Sequence, residues 1–275
     1  MSKLKYAPQI IAKQWRHLKK PRRTGLRVFG VGAAKTGTHT LAQMFEDHVR
    51  TGHEADADAL IRRFLHKAET GEAAPLHKFL RWRDRLRGLK IDSSSVNAYL
   101  IDDLLTLYPD SRFLLTIRPP GAWLRSMLDH SVLRDPTDAW KRFRTYRFGT
   151  GDDFPPEEAE LQKPGLFPVS RYLDAWTFSV SEALDKIPED QLLILQISEI
   201  GPRAREIAEF CGLGPEIAPK TTHAYANRFR SGLLDTLPRD YLAEKLEHHA
   251  GEVARRALSG WSADGDLEKV LTPAA

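Results

Sequence analysis

Short apolar runs alternate with longer amphipathic stretches along the chain. The run "LRVFGVG" ends in glycine and predicts a strand, and "THTLAQMFEDHV" follows with the 3.6-residue spacing of a helix through Leu41, Met44, Phe45 and His48. Two further helices are expected over "DADALIRRFLHKAET" and "PLHKFLRWRDRLR", stopped by Gly71 and Gly88. "LKID" is a second short strand, and the serines after it read as caps of a helix "VNAYLIDDLLTLY". "SRFLLTIR" is a strand bounded by Pro109-Asp110 and Pro119-Pro120, and the helix "GAWLRSMLDHSVL" comes next. Residues 135–167 are polar and aromatic, with an irregular "GTGDDFPPEE". A long helix "PVSRYLDAWTFSVSEALDKI", a strand "DQLLILQI", a helix "SEIGPRAREIAEFCGL" and a mostly helical last forty residues complete the pattern.

Strands alternating with helices of this length predict an α/β protein of three layers, a central parallel sheet flanked by helices. In such sheets ligands gather at the carboxyl ends of the strands. That rule puts the turn after "RVFGVG", the polar end of "LKIDSSS" and the exit of "FLLTIRPP" on one rim.

At 275 residues the chain is long enough to bury a core without staples. Its one cysteine, Cys211, excludes a disulfide framework and predicts a small buried residue late in a helix. The formal charge is only +4, yet no acidic residue precedes Glu46, while Lys3, Lys5, Lys13, Arg16, Lys19, Lys20, Arg22, Arg23, Arg27 and Lys35 all do. Residues 1–25 are therefore read as a basic arm, solvated or packed on the domain. With Tyr6 and Trp15 among its charges, a nucleic-acid grip or a membrane-surface helix is the alternative. No apolar run approaches the ~20 residues that span a bilayer, and the start lacks a signal-peptide core. A cytoplasmic protein is the expectation.

The first turn carries the chemistry. Within "RVFGVGAAKTGTHTLAQMF", a strand, glycine turn and helix start expose backbone N–H groups that suit phosphate or sulfate. The P-loop of nucleotide-triphosphate enzymes is G-x-x-x-x-G-K-[ST]. Here Lys35 precedes Gly37, and no apolar strand ends in an aspartate to anchor magnesium. The lysine itself must neutralise the charge. A second cradle forms where Arg118 leaves its strand into Pro-Pro and Ser126 follows eight residues later. Two such cradles on one sheet edge point to a nucleotide phosphorylated at both its 5′ and 3′ positions.

With these motifs the sequence resembles the sulfotransferases that use 3′-phosphoadenosine 5′-phosphosulfate. "KTGTHTL" is similar to their 5′-phosphosulfate motif, "RPPGAWLRS" to their arginine-to-serine 3′-phosphate motif, and "HAYANRFRSGLL" to the distal segment that closes on the 3′-phosphate. The resemblance implies a sulfotransferase domain over 26–260, with 261–275 as a tail. It assigns Lys35, Thr36, Gly37, Thr38, His39 and Thr40 to the 5′ side, with His39 either against the sulfonate or facing solvent. Arg118, Ser126, Arg228 and Arg230 go to the 3′ side.

Lys35 stands at the bridging oxygen, and the acceptor hydroxyl needs a base. Glu54 and His53 in "TGHEAD", and Asp92 at the end of "LKID", are the three candidates. Trp82, Trp123, Trp140, Tyr146 and Phe148 are candidates for an apolar acceptor pocket. No metal-ligand spacing is present in the sequence, and the expected partners are the nucleotide donor and a small-molecule, glycan or lipid acceptor, with no nucleic acid. The alternative readings are a P-loop nucleotide or small-molecule kinase and a non-catalytic nucleic-acid binder.

Overall fold

A computed structural model describes residues 20–133, 135–163, 165–219 and 229–271. Five strands, β1 (Val28–Gly30), β2 (Thr51–His53), β3 (Ile91–Ser93), β4 (Arg112–Ile117) and β5 (Leu192–Gln196), form one sheet in the order β2-β3-β1-β4-β5. Every pairing is parallel, so all carboxyl ends share one rim. The helices are α1 (Thr38–Met44), α2 (Ala57–Thr70), α3 (Ala74–Arg87), α4 (Ile101–Leu107), α5 (Pro120–Leu133), α6 (Asp138–Phe148), α7 (Val169–Lys186), α8 (Ala204–Phe210), α9 (Arg239–Ala257) and α10 (Ala263–Leu271).

The two-residue period of the strands divides the core. Phe29 of β1 and Phe113, Leu115 and Ile117 of β4 face the larger layer, with α2 to α7, α9 and α10. Val28 and Leu114 face the smaller layer, built on α1 and α8. The expected three-layer α/β architecture is what forms. Gly71 and Gly88 end α2 and α3 in left-handed conformations, as the sequence predicts, each donating its N–H to the preceding turn. Cys211 is fully buried in the smaller layer, which pushes its thiol up to about 12.

Several elements differ from their sequence reading. β2 was absent from the expected pattern, being three residues long, half polar in character and at the sheet edge. Within residues 135–167 a regular helix, α6, comes first, and the expected irregular stretch holds from Gly149 to Pro155 before a 3-10 helix at Pro156–Leu161. The expected helix "VNAYLIDDLLTLY" divides into a 3-10 turn at Asn97–Tyr99 and α4. The described part of the basic arm is fixed on the domain: Arg23 forks onto Asp84 at 2.8 and 2.9 Å, and Arg27 reaches the same carboxylate at 2.9 Å. Residues 1–19 lie outside the described set. No helix among the described residues is long and apolar enough to cross a membrane.

Residues 261–271, expected as tail, supply α10 and a buried anchor. Asp266 accepts hydrogen bonds from the backbone N–H groups of Gly121 (2.8 Å) and Ala122 (3.3 Å) and from the Trp261 indole (3.1 Å). It thereby satisfies donors at the start of α5, the helix that carries Ser126. Asp266→Ala strands these buried donors, and a loss of about 1–3 kcal/mol is expected. A urea titration checks this, and an unchanged midpoint would mean that α10 does not hold α5.

Candidate active site

The turn after β1 is pressed against β4. Gly32 has no room for a Cβ beside the Thr116 hydroxyl and carbonyl. The Thr36 hydroxyl donates to the Ala33 carbonyl at 2.7 Å and meets the Thr116 hydroxyl at 2.8 Å, while the Trp123 indole donates to the Ala34 carbonyl at 2.7 Å. These bonds leave the turn one shape. Lys35 takes a left-handed φ of 73° in it, and Gly37, at φ 111°, leads into α1. Thr36 is thus spent inside the turn: it is buried, and its N–H and O–H both go to Ala33. Its expected role as a ligand donor is corrected to that of a brace.

A cavity of about 1230 Å³ opens at the carboxyl rim of the sheet. Lys35, Gly37, Thr38, His39 and Thr40 line it, together with His53 at the end of β2, Glu54 just after it, Arg118 after β4, Ser126 on α5, and Arg230. Parallel strands bring these segments together from more than 190 residues of chain. Arg228 lies outside the described residues. His130, Asp129, Arg62, Trp140, Arg144 and Arg147 also line the cavity. Among the described residues, Lys35, Glu54 and Asp56 are the non-glycine positions with positive φ, and all three line it. Such conformations cost of order 1–3 kcal/mol each and cluster at functional sites.

On one side of the cavity Arg118 and Arg230 stand close enough to repel. Burial first, and the Arg230 charge second, lower the pKa of Arg118. Trp176 holds the Arg118 carbonyl at 3.1 Å. The Arg230 segment is clamped by buried Asp129, which accepts from the Ser231 N–H (2.8 Å) and hydroxyl (2.7 Å) and lies 3.6 Å from the Arg230 guanidinium. Two guanidiniums aimed at one volume fit an anion between them. Asp129 escaped the sequence reading, although its place one turn beyond Ser126 on the same helix was the available signal.

On the other side Glu54 is held by three donors. The Ser94 hydroxyl bonds Oε2 at 2.5 Å, and the Ser95 N–H and hydroxyl bond Oε1 at 2.9 Å each. The serines expected to cap a helix therefore fix a carboxylate. Burial pushes the Glu54 pKa above the usual glutamate range, while the serine hydrogen bonds and the Arg147 charge pull the other way. His53 is exposed, 3.3 Å from the Thr38 hydroxyl through Nε2, and its ring meets His39 edge to face at 4.9 Å.

Asp92 is corrected. β3 extends one residue beyond it, so Asp92 sits inside the strand and points under α3, where Arg83 takes both carboxylate oxygens. It does not line the cavity. Of the aromatic candidates only Trp140 does; Trp123 and Phe148 are core, and Trp82 and Tyr146 are exposed.

Residues 27–151 match the family model of the sulfotransferase domain. This match, from β1 through α6, is consistent with the resemblance carried by the motifs. The fold of the chain is shared with the crystal structure of a sulfotransferase from Alicyclobacillus acidocaldarius, at a TM-score of 0.51 and 17% identity over 86% of this chain and 96% of that one. Two other solved structures are more distantly similar. The sulfotransferase domain of the Synechococcus PCC 7002 olefin synthase has a TM-score of 0.44 and 11% identity, over 94% of this chain and 99% of that one. The sulfotransferase domain of the curacin biosynthetic pathway has a TM-score of 0.43 and 9% identity, over 92% and 100%. No curated protein matches the chain in sequence.

Removing Asp92 takes from buried Arg83 its bidentate carboxylate and leaves it the Ala55 carbonyl and Asp56 at 3.6 Å, so Asp92→Ala is expected to cost about 3 kcal/mol. Chemical denaturation reads that loss. A variant as stable as the wild type would end the structural assignment of Asp92.

Proposed function

We propose that the protein transfers a sulfuryl group from 3′-phosphoadenosine 5′-phosphosulfate to a hydroxyl of an acceptor bound beside Glu54. The observation that carries this reading is one cavity holding a strained lysine turn, a facing pair of arginines and a fixed carboxylate. The residues present suit the nucleotide. Lys35 and the backbone N–H groups from Gly37 to Thr40 take the 5′ end, and Arg118, Ser126 and Arg230 take the 3′-phosphate. When bound, the donor supplies a sulfuryl group activated by a phosphate leaving group.

The chain's own work is positioning and charge stabilisation, by analogy with phosphoryl transfer. Lys35 offers three donors on a compact charge where the leaving oxygen becomes anionic. Its backbone is held left-handed by the braced turn, so the side chain need not be ordered at the moment of reaction. Glu54 accepts the acceptor's proton as the new bond forms. Its raised pKa brings it nearer to neutral, where a base is most effective, and Ser94 and Ser95 fix its direction. His53 stands at the rim beside Thr38 and His39, where it orients the acceptor hydroxyl.

The donor reading is tested by calorimetric titration with adenosine 3′,5′-bisphosphate beside ATP with magnesium. Metal-independent binding of the bisphosphate, with ATP much weaker, is expected. Magnesium-dependent ATP binding with an indifferent bisphosphate would instead favour a kinase. Arg118→Ala should weaken the bisphosphate far more than adenosine 5′-monophosphate, and Lys35→Gly should abolish turnover at a stability cost of about 1 kcal/mol or less, since glycine accepts the left-handed φ.

The pH dependence follows from Glu54. A base must be ionised to act, so turnover should fall as pH drops through a value above the ordinary 4.5 of glutamate. Ser94→Ala removes a donor that favours the anion, raising that pKa further and moving the acid limb to higher pH. A limb that stays in place in Ser94→Ala, or persists in Glu54→Gln, would put the base elsewhere.

A further inference from the structure

α6 turns one stripe of side chains to the cavity. Trp140, Arg144 and Arg147 are spaced i, i+4 and i+7, and all three line it. Arg62 lines it from α2, which packs beside α6 through the Thr137–Asp58 and Arg142–Glu69 bonds. Two neighbouring arginines off this stripe are neutralised: Arg142 of α6 pairs with Glu69 at 2.7 Å, and Arg87 of α3 pairs with Asp56 at 2.6 Å. Those that line the cavity from α2 and α6 are not. Among the described residues, none of Arg62, Arg144 and Arg147 forms an ion pair.

Arg147 is the most confined of the three. Its guanidinium lies 4.6 Å from the Phe143 ring and 4.7 Å from Phe148, and it donates a hydrogen bond to the Tyr99 hydroxyl. Its Nε is buried with no acceptor. Glu54 feels its charge, but the bonds fixing that carboxylate come from Ser94 and Ser95. Arg144 lies over Phe167 at 5.3 Å and donates to the Gly165 carbonyl. A guanidinium held between rings keeps its charge, and an unpaired buried donor is costly. Both facts call for an anion supplied from outside the chain.

We propose that the acceptor bears an anionic oxygen group, a carboxylate or a sulfate, near the hydroxyl that reacts, and that Arg144 and Arg147 select it. Trp140 gives a flat platform for a ring farther along the same stripe. Seven residues of helix rise about 10 Å, so the stripe suits an acceptor longer than a single ring. That the anion belongs to an acceptor rests on the sulfotransferase reading; the anion pocket itself rests only on the arginines.

The test uses three probes that differ in one group: 2-naphthol, 6-hydroxy-2-naphthoate and 6-hydroxynaphthalene-2-sulfonate. Each is titrated into the full chain with and without adenosine 3′,5′-bisphosphate. Both anionic probes should bind about tenfold or more tighter than 2-naphthol, as a charged hydrogen-bonded pair predicts. The better of the two names the group. Arg147→Gln should remove most of that preference while bisphosphate affinity stays at its wild-type value, and Arg147→Lys should keep part of it. A wild-type protein that binds 2-naphthol equally well overturns the proposal. So does a preference that survives in both Arg144→Gln and Arg147→Gln. If Arg147→Gln does not fold, the wild-type comparison and the more accessible Arg144→Gln decide. Anionic preference with no bisphosphate binding would overturn the donor reading alone and leave the pocket standing.

Discussion

The contact between the β1 turn and β4 sets the geometry of everything at the rim. Gly32 approaches Thr116 so closely that a side chain there would displace the strand. Thr36 and Trp123 then tie the turn down from either side. Thr116 lies two residues before Arg118, so one packing contact fixes Lys35 and Arg118 relative to each other. The left-handed φ of Lys35 is a consequence of this squeeze, and parallel pairing of β1 with both β3 and β4 leaves the turn little freedom to relieve it.

The charges of the protein fall into two populations. Arg83 and Asp92, Arg23 and Asp84, and Lys67 and Asp103 are matched within the fold, where their geometry offsets desolvation. Around the cavity cations outnumber acids, and the acids have partners: Asp56 is taken by Arg87, Asp129 by Ser231 and Arg230, Glu54 by two serines, and Asp58 accepts from the Thr137 hydroxyl. A fold that neutralises its interior charges elsewhere, and leaves these cations facing a shared volume, is arranged for anionic ligands.

How far the sequence could be read depended on whether a residue's surroundings were local. β1, β4 and β5 were legible as apolar runs, and Lys35, Arg118 and Ser126 followed because each sits at a fixed offset from a strand end. β2 was not, because three residues of Thr-Gly-His carry no hydrophobic signal and are held only by pairing to β3. Ser94 and Ser95 were misread because hydroxyls that cap a helix and hydroxyls that hold a carboxylate look alike until the carboxylate is located. Asp92 was placed at the rim through an error of one residue in a strand where each residue reverses direction. Arg147 looked like one arginine among many, and only its enclosure by Phe143 and Phe148 sets it apart.

The hold on Glu54 bears on where a sulfate would be placed as well as on how fast. A carboxylate has about four lone-pair positions, and Ser94 and Ser95 fill three of them, two on Oε1 and one on Oε2. A single lobe of Oε2 is left through which Glu54, as the base proposed above, would receive a proton. On an acceptor with several neighbouring hydroxyls, a base with one open lobe is a regiochemical filter. The two serines, remote from any bond that breaks, would decide which positional isomer leaves the site.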